Sequence, residues 1–285
     1  ASAGTDQTLC NTGTFILGGN TPSAGTGIWT INGAANGAII NNPNLPGATV
    51  SGLQQGKSVT LIWTISNGTC TNSTDEVVLT NVIPTPSANA GANQYLCNTA
   101  TQTALNANLP GGTFVGTWTD VTSGGPGGLI FSPNANTPGA TVSGLVAGIE
   151  YKLRWTIAGN APCGDNTSEV IIAVRPLVTA ANAGTDAPLC DQATSNNFFN
   201  LNANQDNSRA YETGTWSIIT QPINSNATFS NLNNPAATLQ NLIPGTYRLQ
   251  WLISNDAGCV SAPDEVIVQV YAKPVGGSLT SSITE

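Results

Sequence analysis

Six cysteines carry the clearest chemistry in this 285-residue sequence, because thiols either ligate metal ions or form disulfides. None of them has the C-x-x-C spacing of zinc and iron–sulfur sites, and the sequence contains no histidine. Without histidine, the nucleophile systems that need a histidine base are excluded as well. We therefore expect structural disulfides, no zinc or iron–sulfur site and no enzymatic activity.

The cysteines occupy two positions of a threefold repeat of about 90 residues, the size of a small domain. The early position comes after a leucine near the start of each repeat, and the late position comes just before its last apolar segment. One cysteine of each kind per repeat favours pairing within the repeat. We predict the disulfides Cys10–Cys70, Cys97–Cys163 and Cys190–Cys259, and therefore an oxidising, extracellular compartment.

Carboxylates also recur near the ends of the repeats, at Asp6, Asp75, Glu76, Asp186, Asp264 and Glu265. Oxygen ligands near domain ends suit calcium, which is the one cofactor that the sequence suggests. The alternative is that the aspartates cap turns and the glutamates keep an edge strand soluble. The second repeat favours this alternative, because Asn93 and Ser168 replace two of the acids.

All six tryptophans fall on two repeat positions, namely Trp29, Trp63, Trp118, Trp155, Trp216 and Trp251. The second position alternates in phase with leucine and isoleucine, which indicates a strand with one face in a core. We expect these tryptophans to be buried and not to stack on sugars. Aromatic residues outside the two positions are candidates for binding polysaccharide: Tyr95, Tyr211, Phe198 and Phe199. For the pair Phe198-Phe199, we expect instead that the side chains fill a strand core.

Short strand patterns separated by Gly, Pro and Asn run through each repeat, and no window has helical periodicity. About seven strands per repeat predict an all-β fold of three tandem immunoglobulin-like sandwiches, each closed by an intradomain disulfide. The domains are predicted at 1–83, 88–175 and 181–271, with a linker and the start of a further repeat at 272–285. Proline in the linkers 83–87 and 175–179 predicts a stiff, elongated rod.

Charge and hydropathy limit the partners. The net charge is −8 with only seven Lys and Arg residues, which disfavours nucleic acid and anionic membranes. No apolar run is long enough to span a bilayer, so direct membrane insertion is not expected. The expected partners are neighbouring repeats of the same chain and, where the array is adhesive, a surface or polysaccharide ligand.

One combination of motifs is found in all three repeats. It comprises Ala-Gly-x-x-x-x-Leu-Cys, Gly-x-Trp, Pro-(Gly/Ala)-Ala-Thr and a late Cys followed by Glu-Val. This combination resembles the PKD-like immunoglobulin-type repeats of very large surface proteins in gliding bacteria. The segment 273–279 looks like the start of a second repeat type of such adhesins.

The resemblance implies export by type IX secretion and display as a filament attached to the outer membrane. The expected function is that of a non-catalytic stalk and adhesive array in gliding motility and surface attachment. The alternative is a carbohydrate-binding extracellular module.

Overall fold

The structure is a computed structural model that describes residues 1–191, 197–204, 209–274 and 276. The described residues form 21 β-strands and no helix. Most of the predicted linker and further repeat at 272–285 lies outside the described residues.

Within the described residues, each repeat has seven strands. The first repeat contains β1 (Gln7–Cys10), β2 (Phe15–Ile16), β3 (Thr26–Asn32), β4 (Ile39–Asn41), β5 (Thr49–Ser51), β6 (Lys57–Ser66) and β7 (Ser73–Val82). The second contains β8 (Gln94–Leu96), β9 (Gln102–Ala104), β10 (Gly116–Asp120), β11 (Ile130–Ser132), β12 (Thr141–Ser143), β13 (Glu150–Ile157) and β14 (Asn166–Val174). The third contains β15 (Ala187–Cys190), β16 (Phe198–Asn200), β17 (Glu212–Thr220), β18 (Thr228–Phe229), β19 (Thr238–Gln240), β20 (Gly245–Asn255) and β21 (Asp264–Tyr271).

The strand order is the same in all three repeats. The four-stranded sheets are β1-β7-β6-β3, β8-β14-β13-β10 and β15-β21-β20-β17, and the three-stranded sheets are β2-β5-β4, β9-β12-β11 and β16-β19-β18. The opening strand runs parallel to the last strand, whereas the final hairpin of the first and third repeats is antiparallel. The fold is therefore three tandem immunoglobulin-like sandwiches, which confirms the predicted fold class.

The chain divides into two compact units, and the division passes through the second sandwich. The first unit comprises Ala1–Ala92, Gln102–Gly144 and Tyr151–Ile171, and the second comprises Asn93–Thr101, Leu145–Glu150 and Ile172–Glu285. Each unit therefore contains residues of two successive repeats.

The cores of the first and third sandwiches lie between their two sheets. In the first, Phe15 and Val50 of the small sheet pack with Trp29 and Leu61 of the large one, all with exposed fractions of 2% or less. In the third, the phenolic oxygen of Tyr247 accepts a hydrogen bond from the amide of Ile243 and donates one to its carbonyl. This contact is a tyrosine corner, and it anchors the start of β20.

Candidate functional site

The two tryptophans of each repeat are cross-strand partners in the large sheet. Trp29 pairs with Trp63, and Trp216 pairs with Trp251, with ring centroids 4.9 Å apart in both pairs. The pair in the second repeat, Trp118 and Trp155, has centroids 5.1 Å apart. All six rings are at most 2% exposed. They are core residues as predicted, and none is available to stack on a sugar.

The glycine of the Gly-x-Trp motif makes room for the second tryptophan. A methyl group at Gly27, Gly116 or Gly214 would overlap the ring of Trp63, Trp155 or Trp251 respectively. These glycines are at ordinary negative φ, so the requirement is for space and not for a left-handed backbone. The sequence contained the signal, a glycine two residues before the first tryptophan in every repeat, but its role depends on a ring in another strand.

The recurring aspartates hold the opening segment against the last strand. In the first repeat the Asp6 carboxylate accepts a hydrogen bond from the amide of Val78 at 2.8 Å, and Asp75 accepts one from Ala3 at 2.7 Å. In the third repeat Asp186 and Asp264 make the equivalent bonds, to Ile267 at 2.8 Å and Ala183 at 2.7 Å. We call each such pair the aspartate clip. It supports the parallel pairing of the opening strand with the last strand in the first and third repeats.

The recurring glutamates contact side chains on other strands of the same sheet. The Glu76 carboxylate accepts a hydrogen bond from the side-chain amide of Asn32, and Glu265 pairs with Arg248. Glu169 pairs with Lys152 and Arg154, with N···O distances of 2.5 and 2.7 Å. Hydrogen bonds from Lys152 and then Arg154 lower the pKa of the Glu169 carboxyl below its ordinary value of 4.5.

The geometry gives the six predicted calcium ligands other partners. Four of them form the two aspartate clips, and the two glutamates contact Asn32 and Arg248. Within the ranges that the structure describes, no three Cys, Asp or Glu side chains lie close enough together to hold a metal ion. In the second repeat, the neutral side chain of Asn166 accepts a hydrogen bond from the amide of Ala88 at 2.9 Å. A hydrogen bond from the opening segment to a side-chain oxygen therefore does not require a negative charge.

The disulfides join successive repeats, and the predicted pairing within repeats is wrong. Cys10 bonds to Cys163 in the first compact unit, and Cys97 bonds to Cys259 in the second. In each case the early cysteine of one repeat bonds to the late cysteine of the next. The predicted bridges Cys10–Cys70, Cys97–Cys163 and Cys190–Cys259 are thereby excluded.

Strand geometry explains why a repeat does not bridge its own cysteines. Cys10 pairs in register with Val82 at the end of β7, whereas Cys70 lies in the loop before β7 begins. The ten residues of β7 separate the two by about 30 Å, whereas a disulfide needs Cα atoms within about 7 Å. In the third repeat Cys190 pairs with Tyr271 at the end of β21, and Cys259 precedes that strand.

An arginine that the sequence reasoning missed joins the second and third repeats within the second unit. Arg175 follows β14, and its guanidinium lies 5.0 Å from the ring centroid of Tyr95 and 4.4 Å from that of Tyr211. It also donates to both carboxylate oxygens of Asp256, at 2.8 and 2.6 Å. Hydrogen bonding to Asp256 raises the pKa of Arg175 above its ordinary value. Each candidate tyrosine therefore already has a cation against its ring.

The other candidate aromatic residues have separate roles. Phe199 is half-buried and packs against the core of the third repeat, whereas the side chain of Phe198 is 56% exposed. Phe198 lines a surface cavity of about 440 Å³ together with Asn197, Thr238, Gln240 and Asn241. An exposed aromatic residue beside amide and hydroxyl groups is the arrangement here that fits a sugar best.

These features define a chain of immunoglobulin-like domains. Its recurring tryptophans lie in the cores, its recurring aspartates form the aspartate clips, and four of its cysteines join successive repeats. No protein-family model matches the chain, and no curated protein matches its sequence. Similar solved structures include an I-band fragment of titin, with 12% identity over 95% of this chain and 96% of that chain and a TM-score of 0.37. Domains 3–5 of Drosophila OTK have 12% identity over 95% of both chains and a TM-score of 0.40. The fibronectin(III)-like modules of Clostridium thermocellum CbhA have 13% identity over 68% of this chain and 100% of that chain, with a TM-score of 0.38.

The described part of the chain contains no helix that is long and apolar enough to cross a membrane.

Proposed function

We propose that this chain is a non-catalytic segment of an extracellular adhesin filament, in which the repeats act as a stiff stalk and an adhesive array. The observation that carries the proposal is the covalent bond between successive repeats, Cys10–Cys163 and Cys97–Cys259. A bridge between two domains adds a second covalent connection beside the linker, and two connections oppose bending and twisting where one would act as a hinge.

Several further observations support a stalk at the cell exterior. Disulfides persist in oxidising compartments, and Arg175 adds an ion pair and two ring contacts beside the second linker. The linkers contain Pro84, Pro86 and Pro176, which restrict the backbone between repeats. Only 8% of the residues are charged, which suits a sparsely charged, polar surface exposed to the medium.

Small-angle X-ray scattering tests the stalk. Three sandwiches in line should extend over about 110 Å, from strand lengths plus loops. We expect an elongated particle, and a double variant with Cys10→Ser and Cys97→Ser should give a broader distance distribution because its joints bend more freely. A compact particle, or scattering identical in the two proteins, would argue against a stiff stalk.

The more specific proposal is that the filament serves gliding motility, with type IX export and attachment to the outer membrane, as in adhesins similar to SprB of gliding Bacteroidetes. Its support is the combination of repeat motifs described above. Fab fragments raised against the 285-residue chain should label intact cells of the source organism and stop cell movement on glass. Labelling only after cell lysis would contradict the proposal.

A carbohydrate-binding role is the second candidate, and the cavity beside Phe198 favours it. Phe198→Ala should abolish glycan-array binding by the chain, while Ile223→Ala, which removes a side chain that is 89% exposed, should leave it unchanged. No binding to any glycan by the unmodified chain would exclude this role.

A further inference from the structure

Cys70 is the one late cysteine that has no disulfide in the described structure, and its side chain is exposed. It lies in the β6–β7 loop, and Cys163 and Cys259 lie in the equivalent loops of the next two repeats. Both of those equivalent cysteines bond to the early cysteine of the repeat before their own. The same position therefore forms the same kind of bond in the second and third repeats.

The loop around Cys70 has a backbone hydrogen bond in common with one of the two bonded loops, the one around Cys163. Its amide donates to the carbonyl of Asn67, three residues earlier, at 3.1 Å. The amide of Cys163 donates in the same way to Asn160, also three residues earlier, at 2.8 Å. The two cysteines differ in solvent exposure. Cys163 is only 7% exposed, whereas Cys70 is exposed.

We propose that Cys70 is a docking site for another copy of this repeat, which bonds to it through the cysteine at the end of its opening strand. The two thiols form one S–S bond and lose two protons and two electrons. A disulfide oxidant takes up the electrons and protons and is released as two thiols. The proposal concerns how repeats join and does not depend on what the array adheres to.

The geometry selects this partner over a second Cys70. In both observed bridges a loop cysteine meets a cysteine that ends or directly follows an opening strand, and that strand is paired in parallel with the last strand of the repeat. A bridge between two Cys70 loops would place two hairpin loops against each other, an arrangement found in neither joint. Repeated use of the observed bridge would extend the array as a ladder with one disulfide per joint.

The test extends the full chain by a copy of its own residues 1–87, placed before Ala1. The added copy carries Cys70→Ser, so that a single Cys70 remains, and Thr8→Ser as a mass marker on its opening strand. The protein is folded with oxidised and reduced glutathione, alkylated without reduction, digested and analysed by mass spectrometry. The Cys10–Cys163 and Cys97–Cys259 peptides in the same digest report correct folding.

We expect Cys70 to be recovered in a disulfide with the marked opening-strand peptide, and its alkylated fraction to fall at least tenfold below that of the 285-residue chain. A matched chain whose added copy also carries Cys10→Ser should restore alkylation of Cys70. Recovery of Cys70 as the alkylated thiol beside both native bridges would overturn the proposal, as would its recovery in a Cys70–Cys70 bridge.

Discussion

Glu169, Glu76 and Glu265 occupy the same repeat position but have different partners, and the partner determines what the carboxylate contributes. Glu169 contacts two cations, whereas Glu76 contacts the neutral amide of Asn32. A lowered pKa in the folded state means that the group stabilises the fold when it is ionised. This stabilisation is fully present above the unfolded pKa, near 4.5, and is lost as the pH falls through the lower folded pKa.

We therefore predict that Glu169→Gln lowers the thermal midpoint at neutral pH, and that the difference from the unmodified chain shrinks below about pH 4. Glu76→Gln is the matched control at the equivalent position, and it should change the midpoint less because no cation loses its partner. Differential scanning calorimetry across the pH range measures both. A Glu169→Gln deficit that stays constant to the lowest pH would contradict the assignment.

Gly116 is required because the Trp155 ring occupies the space that a side chain would need. Gly116→Ala should lower the free energy of unfolding by about 1–3 kcal/mol, the usual cost of overpacking a core. Gly111→Ala in the same repeat is the control, since no atom lies within 4 Å of the point where its Cβ would sit and its φ is not positive. Urea denaturation followed by tryptophan fluorescence compares the two. Equal effects would show that Gly116 matters through its backbone and not through the space for the ring.

At the scale of elements, the aspartate clip adds side-chain hydrogen bonds to the backbone ladder at the start of the large sheets of the first and third repeats. The opening strands have only three or four residues, so the parallel ladder alone provides few hydrogen bonds. The clip adds a bond from each side of the pairing. It thereby fixes the position of the early cysteine, which ends the opening strand in the first and third repeats.

We predict that Asp6→Ala destabilises the first sandwich by about 1 kcal/mol, because the amide of Val78 loses a charged acceptor at an exposed edge. Asp120→Ala is the control, since its carboxylate caps only the local turn at Thr122.

Calorimetry should also give the same midpoint in calcium and in chelator, because the acids already have protein partners. A calcium-dependent rise that disappears in Asp6→Ala would instead support the calcium hypothesis.

Local patterns predicted the elements well, because period-two alternation reports directly which face of a strand is buried. The burial of Trp63 and the strand around it could therefore be predicted from the sequence. The disulfide pairing could not be predicted from cysteine counts, because these do not show at which end of the sandwich a residue lies. The relevant signal was the ten-residue segment that became β7, which places Cys10 and Cys70 at opposite ends. Arg175 was missed because its partners come from two different repeats.

For the whole molecule, the two disulfides change the route by which force passes through the chain. Force entering at residue 1 crosses from Cys10 to Cys163, returns along 97–163, and crosses from Cys97 to Cys259 before it reaches residue 285. This shortest covalent route contains about 100 residues, so its full extension is about 350 Å, against about 1,000 Å for the entire chain. The bridges thus limit how far the segment can stretch even when sandwiches unfold.

Single-molecule stretching between residues 1 and 285 tests this limit. We expect a final contour length of about 350 Å under oxidising conditions and about 1,000 Å after reduction. The double variant Cys10→Ser and Cys97→Ser should reach the longer value without reductant, whereas Cys70→Ser should behave like the unmodified chain because Cys70 lies outside both bridges. Bridges within each repeat would also shorten the oxidised chain, but the Cys70→Ser variant would then lengthen, which distinguishes the two pairing schemes. Because the limit comes from covalent bonds between repeats, a filament built this way would keep its reach under loads that unfold its individual domains.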